Sequence, residues 1–117
     1  MIIPTYPSAL YQIVSNLVIN SLRHGFEEKK GGRIVIKVSQ RDDSIILRYF
    51  DNGKGISRDN LKRIFDPFYT TKRGQGGTGL GLHIVYNIVI QNLGGTIRCA
   101  SREGGGALFT IMIPAQK

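Results

Sequence analysis

Asp51-Asn52-Gly53-Lys54-Gly55 and, further along, Gly77-Thr78-Gly79-Leu80-Gly81-Leu82 decide what this chain can fold into. The first stretch sets a carboxylate among glycines, and the second is a glycine loop that opens a helix. A carboxylate accepts hydrogen bonds from an amino-substituted purine edge, and glycine lets backbone approach a flat ring or a phosphate where a Cβ would collide. Together the two loops describe a purine nucleotide site. Asp-x-Gly-x-Gly also occurs in ordinary turns, where Asp and Gly serve only as turn formers. A third element, upstream, separates these readings.

Thr5 to Gly25 reads as a helix, with Thr5 as cap, Pro7 in the first turn and Gly25 as the stop. Leu10, Ile13, Val14, Leu17, Val18, Ile19 and Leu22 nearly encircle it. They leave one polar stripe of Gln12, Asn16, Asn20 and Arg23 at spacings of three and four. Two amides and a guanidinium are therefore expected on one largely buried face. A buried amide without a partner costs roughly 1–3 kcal/mol, so these groups should have something to bind, whether backbone inside the fold or a ligand.

Four motifs in order carry a family resemblance. Asn16-Leu17-Val18-Ile19-Asn20-Ser21 resembles the N box, Asp51-Asn52-Gly53-Lys54-Gly55 the G1 box, Phe65-Asp66-Pro67-Phe68 the F box and Gly77-Thr78-Gly79-Leu80-Gly81-Leu82 the G2 box of the sensor histidine kinase ATP-binding domain. The resemblance runs from about Thr5 to Pro114 and includes the closing Gly106-Ala107-Leu108-Phe109. It implies the Bergerat fold of the gyrase, Hsp90, histidine kinase and MutL superfamily, an α/β (α+β) two-layer sandwich in which helices cover one face of a mixed sheet.

Local patterning agrees. Arg33 to Gln40 and Ser44 to Asp51 carry strand-type residues on either side of the turn Arg41-Asp42-Asp43, which predicts a hairpin. Ser57 begins a short helix ending near Phe65. Leu80 to Leu93 predicts a helix with Leu82, Val85, Ile88, Val89 and Leu93 on its apolar side. Gly95 to Ser101 and Ala107 to Ile113 form a second hairpin across Arg102-Glu103-Gly104-Gly105-Gly106.

A chain of 117 residues, 41% hydrophobic, has the length for one domain over 1–117 with one core. No apolar run approaches the roughly 20 residues that span a bilayer, and Met1-Ile2-Ile3-Pro4 lacks the features of a signal peptide. The expectation is a soluble, cytoplasmic domain without direct membrane contact, whose parent protein could still be anchored. The single Cys99 forms no internal disulfide and reads as a packing residue. A net charge of +8 raises the alternative of a nucleic-acid module. The cations are scattered, however, and no nucleic-acid-binding motif accompanies them, so no nucleic-acid partner is expected.

The resemblance also implies roles for matching positions. Asp51 would accept the adenine amino group, with Gly53 and Gly55 making room for the ring beside Ile56. Asn20 would ligate Mg²⁺ through its amide oxygen, a neutral hard ligand. Asn16 and Arg23 would line the phosphate channel, and His24 would either reach ribose or phosphate or interact with the last helical carbonyls. Tyr69 to Gly76 corresponds to the lid over ATP and contains Thr71, Lys72 and Arg73. The backbone of Gly77, Thr78, Gly79, Leu80 and Gly81, leading into Leu82, would cradle the phosphates at a helix start. Phe65 and Phe68 would anchor the lid to the core, and Thr78 and Leu80 are open to either role.

Asn16 selects among branches. Relatives that hydrolyse ATP or phosphorylate serine carry a Glu one turn before the magnesium Asn, whereas an amide has no useful proton affinity. Transfer to a histidine nitrogen can proceed by positioning and charge neutralisation. The expectation is thus the catalytic domain of a two-component histidine kinase, passing the γ-phosphoryl of Mg·ATP to a histidine on a dimerisation domain and, indirectly, to a response regulator. The fragment itself would be monomeric and unable to phosphorylate itself, since His24 and His83 lack the acidic neighbour of a phosphoacceptor box. Alternatives are a serine-kinase or ATPase switch of the same superfamily, or a nucleotide-binding regulatory module without transfer chemistry. Ala107 departs from relatives that carry a hydroxyl there, which leaves one hydrogen bond near the site in doubt.

Overall fold

The computed structural model describes residues 7–26, 31–67 and 81–114. Helix α1 (Pro7–Asn20) continues into a π-turn over Ser21–Gly25, closed by the Phe26 amide donating to the Ser21 carbonyl at 2.8 Å. Strands β1 (Ile34–Arg41) and β2 (Ser44–Asp51) pair from Ile34 opposite Asp51 to Arg41 opposite Ser44. Asp42, at φ 54°, closes their turn in the left-handed region that Asp tolerates better than most residues. The short helix α2 (Arg58–Leu61) starts at Ser57, whose hydroxyl accepts from the Asn60 amide at 3.3 Å. Helix α3 (Gly81–Asn87) runs into a second π-turn, Ile88–Asn92, before β3 (Thr96–Ser101) and β4 (Ala107–Pro114).

The sheet order is β1-β2-β4-β3. The fold class is the expected two-layer α/β arrangement, but every pairing among the described residues is antiparallel, where a mixed sheet was expected. The crossover through α3 does make β3 parallel to β2. The β3–β4 hairpin then folds β4 back between them, so the two parallel strands are never neighbours.

Alternation decides which face is covered. Ile45, Leu47 and Tyr49 of β2 and Ala107, Phe109, Ile111 and Ile113 of β4 are buried on the inner side. There most of them meet Ile13 and Leu17 of α1, Ile64 after α2, and Val85, Ile88, Val89 and Leu93 of α3 and its π-turn. Phe65 joins this cluster, its ring 5.5 Å from that of Tyr86 and 6.4 Å from that of Phe109. It packs into the core as expected. The opposite face carries Lys37, Arg48 and Arg98 in the open, so part of the positive charge is a solvated surface.

The polar stripe of α1 is not the largely buried face expected of it. Gln12 and Arg23 are exposed, and Asn16 and Asn20 are half-buried. Nor is all of the apolar surface that nearly encircles the helix covered, since Ile19 and Leu22 are 46% and 62% exposed. Only Ile13 and Leu17 of α1 are fully buried, with Ala9, Leu10, Val14 and Val18 packed partly buried beside them, so the covered side of the helix excludes the polar stripe.

Candidate functional site

Asp51 is the last residue of β2 and only 2% exposed. Its place follows from the strand's period of two: Tyr49 and Asp51 point to the same inner side, and where β2 ends the carboxylate sits beside the end of α1. Oδ2 accepts from the Ser21 hydroxyl at 2.8 Å and Oδ1 from the Gly53 amide at 3.0 Å. Each carboxylate oxygen can accept about two hydrogen bonds, so both keep capacity for an incoming donor. A buried carboxylate with two donors is tolerated, and a ligand amine would add a third.

Glycine is required around it because backbone meets backbone. A Cβ on Gly53 would lie 2.3 Å from the Gly25 carbonyl oxygen, and one on Gly25 would lie 3.1 Å from Asp51 Oδ2. The end of the α1 π-turn thus lies directly against the carboxylate loop, and the Lys54 amide donates to the Gly25 carbonyl at 2.8 Å. On the other side, a Cβ on Gly55, at φ 78°, would lie 1.9 Å from the Arg102 carbonyl oxygen. The Gly104 amide donates to the Lys54 carbonyl at 2.6 Å. Ser101 completes the clamp by accepting from the Ile56 amide at 2.8 Å while donating to the Gly106 carbonyl. The loop from Asp51 to Ile56 is held between the end of α1 and the β3–β4 turn.

The amides lie on the neighbouring helix. Asn16 Nδ2 donates to the Gln12 carbonyl at 2.9 Å, which ties one end of the side chain. Its Oδ1 faces Gly81, the first residue of α3, at 3.9 Å from where a Cβ would stand. The N-box helix and the end of the second glycine loop are therefore adjacent. Asn20 is half-buried and makes no side-chain capping bond to the π-turn that follows it. Arg23 and His24 both stand in the last turn, where cations favour the helix C-terminus. Ile56 and Leu82 pack against the core, so any contact they offer a ligand would be apolar. Phe68, Thr71, Lys72, Arg73, Gly77, Thr78, Gly79 and Leu80 lie outside the described residues, as does the lid.

One partner of the carboxylate, and the residue behind it, are not evident from the sequence. Ser21 is fully buried and binds Asp51, and its Oγ is 2.7 Å from the Tyr49 hydroxyl. Tyr49 in turn donates to the Leu17 carbonyl at 3.1 Å. The available signal was a tyrosine two residues before Asp51 on a core-facing strand, since a buried phenol needs a polar partner. At Ala107, where a hydroxyl was in doubt, β4 presents only a methyl group opposite Asp51.

The Asp51 loop is thus held by glycine-mediated contacts between the end of α1 and the β3–β4 turn, and Asn16 of α1 borders the start of α3, in a two-layer sandwich. Residues 5–117 match the family of histidine kinase-, DNA gyrase B- and HSP90-like ATPases, and the chain belongs to it. Sensor histidine kinase ZraS of Salmonella typhi is 42% identical over 109 residues, covering 92% of this chain and 22% of its own length. Alginate biosynthesis sensor protein KinB of Pseudomonas aeruginosa is 39% identical over 103 residues, covering 88% and 17%. The chain thus spans about a fifth of such relatives. Among solved structures, the catalytic domain of histidine kinase ThkA superposes with a TM-score of 0.78 at 30% identity, over 97% of this chain and 71% of that one. Full-length ShkA in complex with AMPPNP gives 0.77 at 28% identity, over 93% and 22%. The expected kinship with histidine kinase ATP-binding domains is borne out.

Proposed function

We propose that this domain binds Mg·ATP and is the catalytic part of a two-component sensor histidine kinase, passing the γ-phosphoryl group to a histidine on a separate dimerisation domain. The observation that carries the reading is Asp51, buried at the end of β2 and held by Ser21 and Gly53 with acceptor capacity to spare. Adenine offers its exocyclic 6-amino group to such a carboxylate; guanine carries a carbonyl oxygen at that position and would have to present its N1–H and 2-amino edge instead. The complex of ShkA with AMPPNP supports the same ligand class.

The donor set fits magnesium. Among the described residues no group of three His, Cys, Asp or Glu could hold a metal ion by itself. Mg²⁺ commonly takes few protein ligands and completes its shell with phosphate oxygens and water. Asn20 would be the protein ligand in this reading, and the ion would neutralise phosphate charge during transfer. Asn16, its oxygen facing the start of α3, would orient the phosphates rather than activate water, because an amide is no general base. Arg23 and the lid cations Lys72 and Arg73 would add positive charge. No described helix is long and apolar enough to cross a membrane. The partners proposed are the phosphoacceptor domain and, downstream, a response regulator.

Two measurements test this. Calorimetric titration with ADP, with and without Mg²⁺, should give saturable binding that strengthens with the ion. Labelled ATP mixed with a matching dimerisation domain should give an acid-labile phosphohistidine, and steady release of phosphate without any acceptor would instead identify an ATPase.

A further inference from the structure

The hydroxyls of Ser21 and Tyr49 form a chain that ends on the Asp51 carboxylate, and counting hydrogens gives it a direction. Three contacts are present: Ser21 to Asp51 Oδ2 at 2.8 Å, Ser21 to Tyr49 at 2.7 Å, and Tyr49 to the Leu17 carbonyl at 3.1 Å. The two hydroxyls have only two hydrogens between them. A carboxylate can only accept, so the Ser21 hydrogen goes to Asp51. At 2.7 Å the two hydroxyl oxygens would repel unless a hydrogen lay between them, and the Tyr49 hydrogen is the only one left. It therefore points to Ser21, with the longer approach to Leu17 as a secondary arm. Burial pushes the Tyr49 phenol above its ordinary 10.0, with the Asp51 charge adding to the rise, so the donor keeps its hydrogen at neutral pH.

We infer that Tyr49 is a positioning residue for purine recognition, acting through Ser21 to hold the Asp51 carboxylate in the orientation that accepts a 6-amino group. This inference rests on the nucleotide-binding reading above and names residues that deepen it. In this chain Tyr49 donates to Ser21, sharing its one hydrogen with the Leu17 carbonyl, and Ser21 donates to Asp51. Aligned hydrogen bonds of this kind polarise one another inside a protein. Its anchor is rigid, because the Tyr49 ring is fully buried on β2 and meets the Phe109 ring edge-on at 6.3 Å. No competing donor comes from β4, where Ala107 stands opposite Asp51. Ser21, which bonds the carboxylate, is the first residue of the π-turn that ends α1.

The test compares wild type, Tyr49→Phe, Ser21→Ala and the double variant by calorimetry with ADP and with purine riboside diphosphate, which lacks the 6-amino group. Tyr49→Phe keeps the ring and its packing, and thermal unfolding checks that each variant folds. Loss of one hydrogen bond in the chain should weaken ADP binding roughly three- to tenfold. Binding of the purine analogue should be unchanged, and Tyr49→Phe should have no further effect once Ser21 is Ala. Equal loss for both nucleotides, or a Tyr49→Phe effect that persists without Ser21, would overturn the inference, as would wild-type ADP affinity in a folded Tyr49→Phe variant. Failure of the wild-type protein to bind ADP at all would instead remove the nucleotide-binding reading.

Discussion

The most consequential single atom group in this molecule is the Asp51 carboxylate, and its neighbours set what replacing it does. Asp51→Asn keeps the shape but exchanges one acceptor oxygen for an amide nitrogen that donates. That nitrogen faces either the Ser21 hydroxyl, the Gly53 amide or the ligand's amine, and all three are donors in the present arrangement. A hydrogen bond to a charged group is worth about 1.5–3 kcal/mol, so ADP affinity should fall roughly 10- to 100-fold or beyond calorimetric detection. Folding should survive, because Ser21 can turn its hydrogen elsewhere, and circular dichroism would confirm it. Retained affinity in Asp51→Asn would mean that the base is read somewhere else. Asp51 was legible from sequence because a carboxylate followed by two glycines is a local pattern. Ser21 and Tyr49 were not, because their link spans 28 residues and depends on how a helix end meets a strand end.

Among the elements, the β3–β4 turn is the one whose contribution to the site is least expected from its sequence. Arg102-Glu103-Gly104-Gly105-Gly106 reads as a generous hairpin loop, yet it forms one wall of the clamp on the Asp51–Ile56 loop. Glycines on the two sides of this clamp are consequently not equivalent. Gly104 and Gly55 share nearly the same backbone angle, φ 79° and 78°, but a Cβ on Gly104 would meet nothing within 4 Å whereas one on Gly55 would strike the Arg102 carbonyl. Gly104→Ala should therefore cost only the left-handed strain of about 1–2 kcal/mol and leave nucleotide binding intact. Gly55→Ala should cost more, since the loop must also move away from β3–β4, and it should weaken ADP binding together with stability. Chemical denaturation and calorimetry on the two variants separate these outcomes, and equal effects would argue against the clamp. Strand positions and the α3 register were readable because they rest on short-range periodicity. The exposure of Ile19 and Leu22 was not, because which side of an apolar helix is covered depends on partners distant in sequence.

At the scale of the whole molecule, the sheet order puts β2 and β4 in the centre, and the two buried polar residues among those described, Ser21 and Asp51, meet at one end of that pair. Cys99 on β3 belongs to that region: burial first, and the Asp51 charge second, push its thiol from an ordinary 9.0 up to about 12. A raised acid holds its proton more tightly in the folded state, which fixes the sign of the pH dependence. Below pH 9.0 the thiol is protonated whether the chain is folded or not, so its contribution is fully present there. Between 9.0 and about 12 the unfolded chain releases the proton first, and stability must fall as pH rises through that window. Cys99→Ala removes this group from the balance, and it also changes packing by an amount that does not depend on pH. Urea unfolding of both proteins from pH 8 to pH 11 should therefore give a difference in stability that shrinks or reverses as pH rises. The slope is the readout, since Tyr49 contributes alike to both proteins. A difference that stays constant across the window would mean that Cys99 titrates in the folded protein as it does in the unfolded chain, and that the region around Asp51 is wetter than its burial indicates.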